Sequence, residues 1–208
     1  MIKKGRFITL EGSEGAGKST LARTVCKWLE SNQRMVVLTR EPGGTPVAEE
    51  LRKLLLDTRN RGLCDTAELL MMFASRAQHV NELIVPSLKA GSDVVCDRFS
   101  DASYAYQGGG RRMGFEVIEA LEGIVHPDLQ PDLTLLFDLP AQVGLERANK
   151  RGSPDRFENE RMAFFHRVRK AYLRRAKAHP GRFAIIRANQ SLSKVKADTL
   201  AALEERLR

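Results

Sequence analysis

The chain has 208 residues, 42% of them hydrophobic, and a formal net charge of +8, which suits one sizeable domain and requires no second. No stretch approaches the length of a membrane span, and the two lysines near the N-terminus lack the long apolar core of a secretory leader, so the expectation is a cytoplasmic protein with no membrane partner. The charge is uneven: residues 147–187 hold 13 Lys and Arg against 3 Asp and Glu, leaving 21 against 23 elsewhere, so its sign alone does not imply a nucleic-acid partner.

Taken in order, Arg6–Glu11 reads as a short apolar strand, and Gly12-Ser13-Glu14-Gly15-Ala16-Gly17-Lys18-Ser19 satisfies every fixed position of the phosphate-binding loop G-x-x-x-x-G-K-[ST]. Leu21 to Leu29 is apolar at helical spacing, so the loop joins strand to helix as its mechanism requires. Further strands are predicted at 34–39, 93–97, 132–139 and 182–187, giving five, with helical patterns between them. Such alternation means parallel βαβ units with a ligand crevice at the carboxyl ends of the strands. The longest helix is predicted from Asp65, with Asp65-Thr66-Ala67-Glu68 as its capping residues, toward Gly91, kinked at Pro86. Another helix starts near Ala141, and one runs from about Glu158 to Ala178. Between them, Lys150-Arg151-Gly152-Ser153-Pro154-Asp155-Arg156 has the composition of a mobile, phosphate-seeking lid. Cys26, Cys64 and Cys96 are odd in number and at no metal-like spacing, which points to a reducing compartment, and Cys96 reads as a buried thiol.

In the loop, glycines 12, 15 and 17 let successive N–H groups face one phosphate, with the helix N-terminus adding partial positive charge. Lys18 is expected to reach the β/γ oxygens of a nucleoside triphosphate and Ser19 to ligate Mg²⁺. Asp97 ends an apolar strand, where such proteins place the Asp that helps hold Mg²⁺, and Arg98 follows it toward the crevice. Arg40-Glu41-Pro42-Gly43-Gly44-Thr45, just past the second strand, is expected to line the same crevice. Phe73 and Arg76 share a helix face, which would let a ring stack on a base while a guanidinium bonds its edge; core packing of the Phe is the plainer reading. Gly108 to Gly110 lack the G-x-G-x-x-G spacing and follow no strand, so a hinge or turn is expected.

In combination these segments resemble the thymidylate kinase family from the first strand to the last helix. The likeness rests on Glu11 to Thr20, on Thr39-Arg40-Glu41-Pro42-Gly43-Gly44-Thr45, on Phe73-Ala74-Ser75-Arg76, and on Asp97-Arg98-Phe99 followed by Ala105 to Arg111. Phe99 and Ser75 depart from the commonest family residues without removing a functional group. The resemblance implies an α/β, P-loop nucleoside-monophosphate-kinase-like fold, a five-stranded parallel sheet flanked by helices. It would be one kinase domain over 1–208 with a lid at about 147–157. It implies transfer of the γ-phosphoryl group of ATP to dTMP, with Mg²⁺, in a homodimer that has no nucleic-acid partner. ATP would lie on Gly12, Ser13, Glu14, Gly15, Ala16, Gly17, Lys18, Ser19 and Thr20, with metal at Ser19 and Asp97. For dTMP it implies Glu14 and Tyr106 at the sugar, Arg98 on the phosphate, Phe73 stacked on thymine, Arg76 and Ser103 with Gln107 reading its edge, and Pro42 nearby. Because residues 13–16 of the loop contain no Arg or Lys, it also implies a bacterial subtype whose catalytic arginine comes from the lid, Arg151 first and then Arg147 and Arg156, beside Lys18 and Arg98. Two alternatives remain open at this stage: a kinase for another nucleotide or nucleoside, and a nucleotide-dependent switch or nucleic-acid-binding ATPase. For the second, the basic segment is the only positive sign.

Overall fold

Five short strands, β1 (Phe7–Glu11), β2 (Val36–Arg40), β3 (Asp93–Asp97), β4 (Leu133–Asp138) and β5 (Phe183–Arg187), pair in parallel in the order β2-β3-β1-β4-β5. The computed structural model describes residues 5–60, 62–150 and 155–207. The central strand β1 is buried throughout, whereas Leu38 on one edge strand and Ile185 on the other are exposed. Only strands covered on both faces need continuous apolar runs. Side chains alternate across the sheet: Ile8, Leu10, Leu135 and Phe137 pack with α1 (Lys18–Ser31) and α9 (Leu192–Leu207), while Phe7 and Leu136 face the opposite layer. Burying each such side chain contributes roughly 1.5–3 kcal/mol.

The remaining helices are α2 (Pro46–Leu56), α3 (Asp65–His79), α4 (Val85–Lys89), α5 (Ser100–Ser103), α6 (Glu116–Val125), α7 (Ala141–Asn149) and α8 (Met162–Ala178). Several expectations about their details are corrected. Strand β2 starts at Val36 rather than residue 34, and α8 starts at Met162 rather than Glu158. The second shift has a local cause, since the Asp155 carboxylate accepts the N–H groups of Phe157 and Glu158 at 2.8 and 2.9 Å and diverts the chain into turns. The long helix from Asp65 continues past Pro86 to Lys89. It widens first, with Val80–Ile84 in π-helical winding and the Val85 N–H bonded back to the Val80 carbonyl. That winding makes room for a ring that has no N–H and would crowd the preceding turn. Cys64, not Asp65, precedes the first turn, and Glu68 is fully buried rather than capping.

Gly108 to Gly110 are neither hinge nor turn; they end a buried π-helical segment, Tyr104–Gly110. A Cβ on Gly109 would lie 2.6 Å from the Ala171 Cβ, and one on Gly110 would lie 2.5 Å from the Phe164 ring. The glycines therefore let α8 approach this segment closely. Among the described residues, no helix is long and apolar enough to cross a membrane.

Candidate active site

Parallel strands deliver the residues that follow them to one edge, and a cavity at that edge is lined by Glu14 to Ser19 after β1, Arg40 to Pro42 at β2, and Asp97 to Phe99 at β3. Gly12, Gly15 and Gly17 all have positive φ, at 136°, 71° and 84°, as a loop that curls its N–H groups inward requires. Lys18 Nζ donates to the Gly12 and Ser13 carbonyls at 2.9 and 3.0 Å, which stretches its charge across the loop. Burial, and then the nearby Arg98 charge, lowers Lys18 to about 8. Ser19 Oγ donates to Asp97 Oδ2 at 3.1 Å, bringing two hard oxygen donors together at the loop. Thr20, expected with the loop, instead faces a separate groove beside Arg23 and Trp28.

Arg98 sits at the centre of the edge with a φ of +74°. Its Nη1 donates to the Gly12 carbonyl and Tyr172 hydroxyl, both at 3.1 Å, and its Nη2 to Glu14 Oε1 and the Tyr106 hydroxyl, both at 3.0 Å. Tyr106 in turn donates to Glu14 Oε1, so ring, carboxylate and guanidinium hold one another. Arg52 on α2 donates to the Pro42 carbonyl at 2.7 Å and lines the cavity. Burial, and next the charge of Arg40, lowers the Arg52 guanidinium, with Arg98 adding to the crowding. Three cations gathered in this way favour an anion between them.

At the far end, Arg76 is 2% exposed and donates Nε to Glu41 Oε2 at 2.7 Å and Nη2 to Ser103 Oγ at 3.1 Å and the Phe99 carbonyl at 3.2 Å. His79 Nδ1 lies 3.0 Å from the other Glu41 oxygen. Burial would raise Glu41, but Arg76 and His79 outweigh it and hold the carboxyl below its usual range. Arg76 Nη1 is buried and, among the described residues, has no hydrogen-bond partner, although Arg76 lines the cavity. Such an atom costs stability unless a ligand completes it. Ser103, Gln107 and Tyr106 share this wall.

A family model described as thymidylate kinase matches residues 10–199. The chain belongs to the thymidylate kinase family. It is 55% identical over 203 residues to a thymidylate kinase of Pseudomonas syringae pv. tomato, covering 98% of this chain and 97% of that one. It is 56% identical over 205 residues to one of Chromohalobacter salexigens, with the same coverage. A crystal structure of thymidylate kinase from Ehrlichia chaffeensis superposes with a TM-score of 0.79 at 33% identity, covering 97% of this chain and 99% of that one.

As a member of the thymidylate kinase family, the chain departs in several places from what its sequence led one to expect. Phe73 does not line the cavity: its ring is 2% exposed and packs with Leu69, Tyr104 and Ile118. The Arg76 guanidinium lies 4.5 Å from the ring centroid. Gln107 donates Nε2 to Glu68 at 2.8 Å. Of the lid arginines, Arg151 lies outside the described residues. Arg147 donates to the Ala188 carbonyl at 3.0 Å, and Arg156 donates to the Leu55 carbonyl at 2.8 Å and lies 2.7 Å from Glu68. Neither lines the cavity, where that side instead presents Asp155, Phe157 and Glu158. For Arg156 the reason is electrostatic, since Glu68, buried inside α3, draws both Arg111 and Arg156 to itself. Sequence reasoning passed over Arg52, Met72 and Leu56 in the lining, because each sits on a helix whose apolar pattern reads as ordinary packing. The basic segment has internal uses as well: Arg169 pairs with Asp138, and Arg175 and Arg182 pair with the buried Asp101.

Proposed function

We propose that this protein transfers the γ-phosphoryl group of ATP to dTMP, giving dTDP and ADP. One observation carries the reading: a phosphate-gripping loop at one end of the cavity faces, across Arg98, a buried guanidinium with one donor left over at the other end. The loop N–H groups and Lys18 hold the donor triphosphate. Arg98, with Arg52 and Arg40 beside it, takes the acceptor phosphate and brings it in line. Arg76 Nη1 and Ser103 address the edge of the thymine, and Tyr106, locked by Glu14, fills the space that a ribose 2′-hydroxyl would need. Stacking of thymine on Phe73 would require that ring to be uncovered on one face.

Ser19 and Asp97 are the residues that would hold Mg²⁺; two oxygen donors beside bound phosphates suit a small cation that keeps several waters. When bound, the ion neutralises charge between the transferring phosphate and its leaving group. The chain itself then has to position the two nucleotides, exclude water and supply one further positive charge, for which Arg151 remains the first choice. Positioning of this kind accounts for a large part of phosphoryl-transfer rates. The polypeptide from about 147 to 157 is the lid in this reading, within one kinase domain. Exposed apolar side chains on the neighbouring helices α2, α3 and α6, among them Leu54, Leu70 and Ile124, support a homodimer.

ADP release measured with dTMP, dUMP, dCMP, dGMP and thymidine as acceptors tests the proposal. dTMP is expected to give the largest kcat/KM; a larger value for any other acceptor would sink it.

A further inference from the structure

Arg98 keeps a left-handed backbone conformation that residues with a Cβ avoid, and such a conformation persists only where the surroundings over-determine it. Three bonds do so. The Arg98 N–H donates to the Leu10 carbonyl at 3.0 Å, the Cys96 thiol donates to the Arg98 carbonyl at 2.9 Å, and the Phe99 N–H donates to Glu11 Oε1 at 2.7 Å. The other oxygen of Glu11 accepts the Tyr172 hydroxyl proton at 2.8 Å, and that hydroxyl accepts from Arg98 Nη1 at 3.1 Å. One carboxyl thus grips the turn behind Arg98 and, through a phenol, the guanidinium ahead of it.

Glu11 and Tyr172 are 0% and 2% exposed, and neither lines the cavity, so neither meets a substrate directly. Tyr172 sits on α8 among Phe164, Phe165 and Val168, where packing alone would be served by Phe. Glu11 sits where burial, reinforced by the charge of Asp101, pushes its carboxyl up to about 8. An ionisable group retained at such a site is poor stabilising material, which directs attention to what it orients.

We propose that Glu11 and Tyr172 are positioning residues for Arg98, fixing both its turn and its guanidinium so that the acceptor phosphate is met at a set point. The proposal rests on the reading of Arg98 as the acceptor-phosphate arginine. Through Tyr172 it ties that arginine to α8, the helix that follows the lid.

Calorimetric titration of the full chain with dTMP and with thymidine, which lacks the phosphate, tests it. Tyr172→Phe removes one hydroxyl and keeps the ring, so packing is retained and Tm can be followed alongside. dTMP affinity is expected to fall about tenfold, as for loss of a hydrogen bond to a charged group, with thymidine affinity unchanged. Glu11→Gln should act in the same direction, and Tyr172→Phe should add nothing in an Arg98→Ala background. Equal losses for both ligands, an unchanged dTMP affinity, or a further loss in the Arg98→Ala background would each overturn the proposal. Arg98→Ala alone separates the two ideas. If it leaves the ratio of dTMP to thymidine affinity unchanged, the reading of Arg98 falls and the proposal with it. If it collapses that ratio while Tyr172→Phe does not, only the proposal falls.

Discussion

The two ends of the cavity treat buried charge in opposite ways. At the base end, Glu41 is enclosed but bonded to Arg76 and His79, and its carboxyl is held below the usual range. At the loop end, burial dominates: Glu11 is pushed up to about 8, and Lys18 is lowered to about 8. A finished ion pair is a preformed surface that can read a neutral base without rearranging. A cation left penalised by burial, as Lys18 is, is improved by incoming counter-charge, and a polyphosphate brings it. The difference supports the proposed division of the cavity, with base recognition at one end and phosphate capture at the other.

The strongest way to break the comparison is Arg76→Met, which leaves Glu41 buried with only His79. It is expected to cost about 3–5 kcal/mol of stability, the usual consequence of removing one partner of a buried pair, as read from urea unfolding. A loss below 1 kcal/mol would show that Glu41 does not depend on its partner. At the loop end the reverse is expected. Lys18→Met should lower kcat by about 10²–10³-fold, the scale of losing one preorganised charge-stabilising group, while Tm stays level or rises because a penalised buried cation has gone. A fall in Tm matching that of Arg76→Met would erase the distinction.

Smaller effects sharpen the contrast. Ser103→Ala removes an acceptor from Arg76 Nη2 and should cost about 1–2 kcal/mol in stability, together with a several-fold rise in the KM for dTMP and little change in that for ATP. Equal changes in both KM values would place Ser103 outside base recognition. Glu11→Gln should show its effect as a pH dependence. A carboxyl raised in the fold contributes stability that is fully present below its unfolded value of about 4.5 and is lost as pH rises through about 8. Tm measured from pH 4 to 9 should therefore show the variant gaining on wild type across that window and holding its gain above it. A constant difference would mean that Glu11 is not titrating there.

Much of this architecture was legible beforehand. Phe7 to Glu11 and Asp93 to Asp97 are short apolar runs bounded by polar residues, and both are strands. The loop motif needs glycines at specific positions for backbone reasons that hold in any context, so its geometry followed from eight residues. Legibility failed where a residue's role depends on a distant partner. Glu68 looks like a capping acid from its neighbours, but it is buried against Arg111, Gln107 and Arg156 from segments far along the chain. Arg156 looks like a lid cation and is anchored by that same acid. Tyr172 carries the helical spacing of a core aromatic, and nothing local reveals that its hydroxyl reaches Glu11, 161 residues away.

The sequence by itself therefore determined the alternation of strands and helices, the phosphate loop, and the family, because these depend on periodicity and on local backbone requirements. Only the tertiary structure decided which charges are compensated, that Phe73 is covered while Arg76 keeps a donor unused among the described residues, and how Arg98 is held. Desolvation and ion pairing act through space over a few ångströms, and the distances that set them come into being only when the sheet edge, α3 and α8 have packed together.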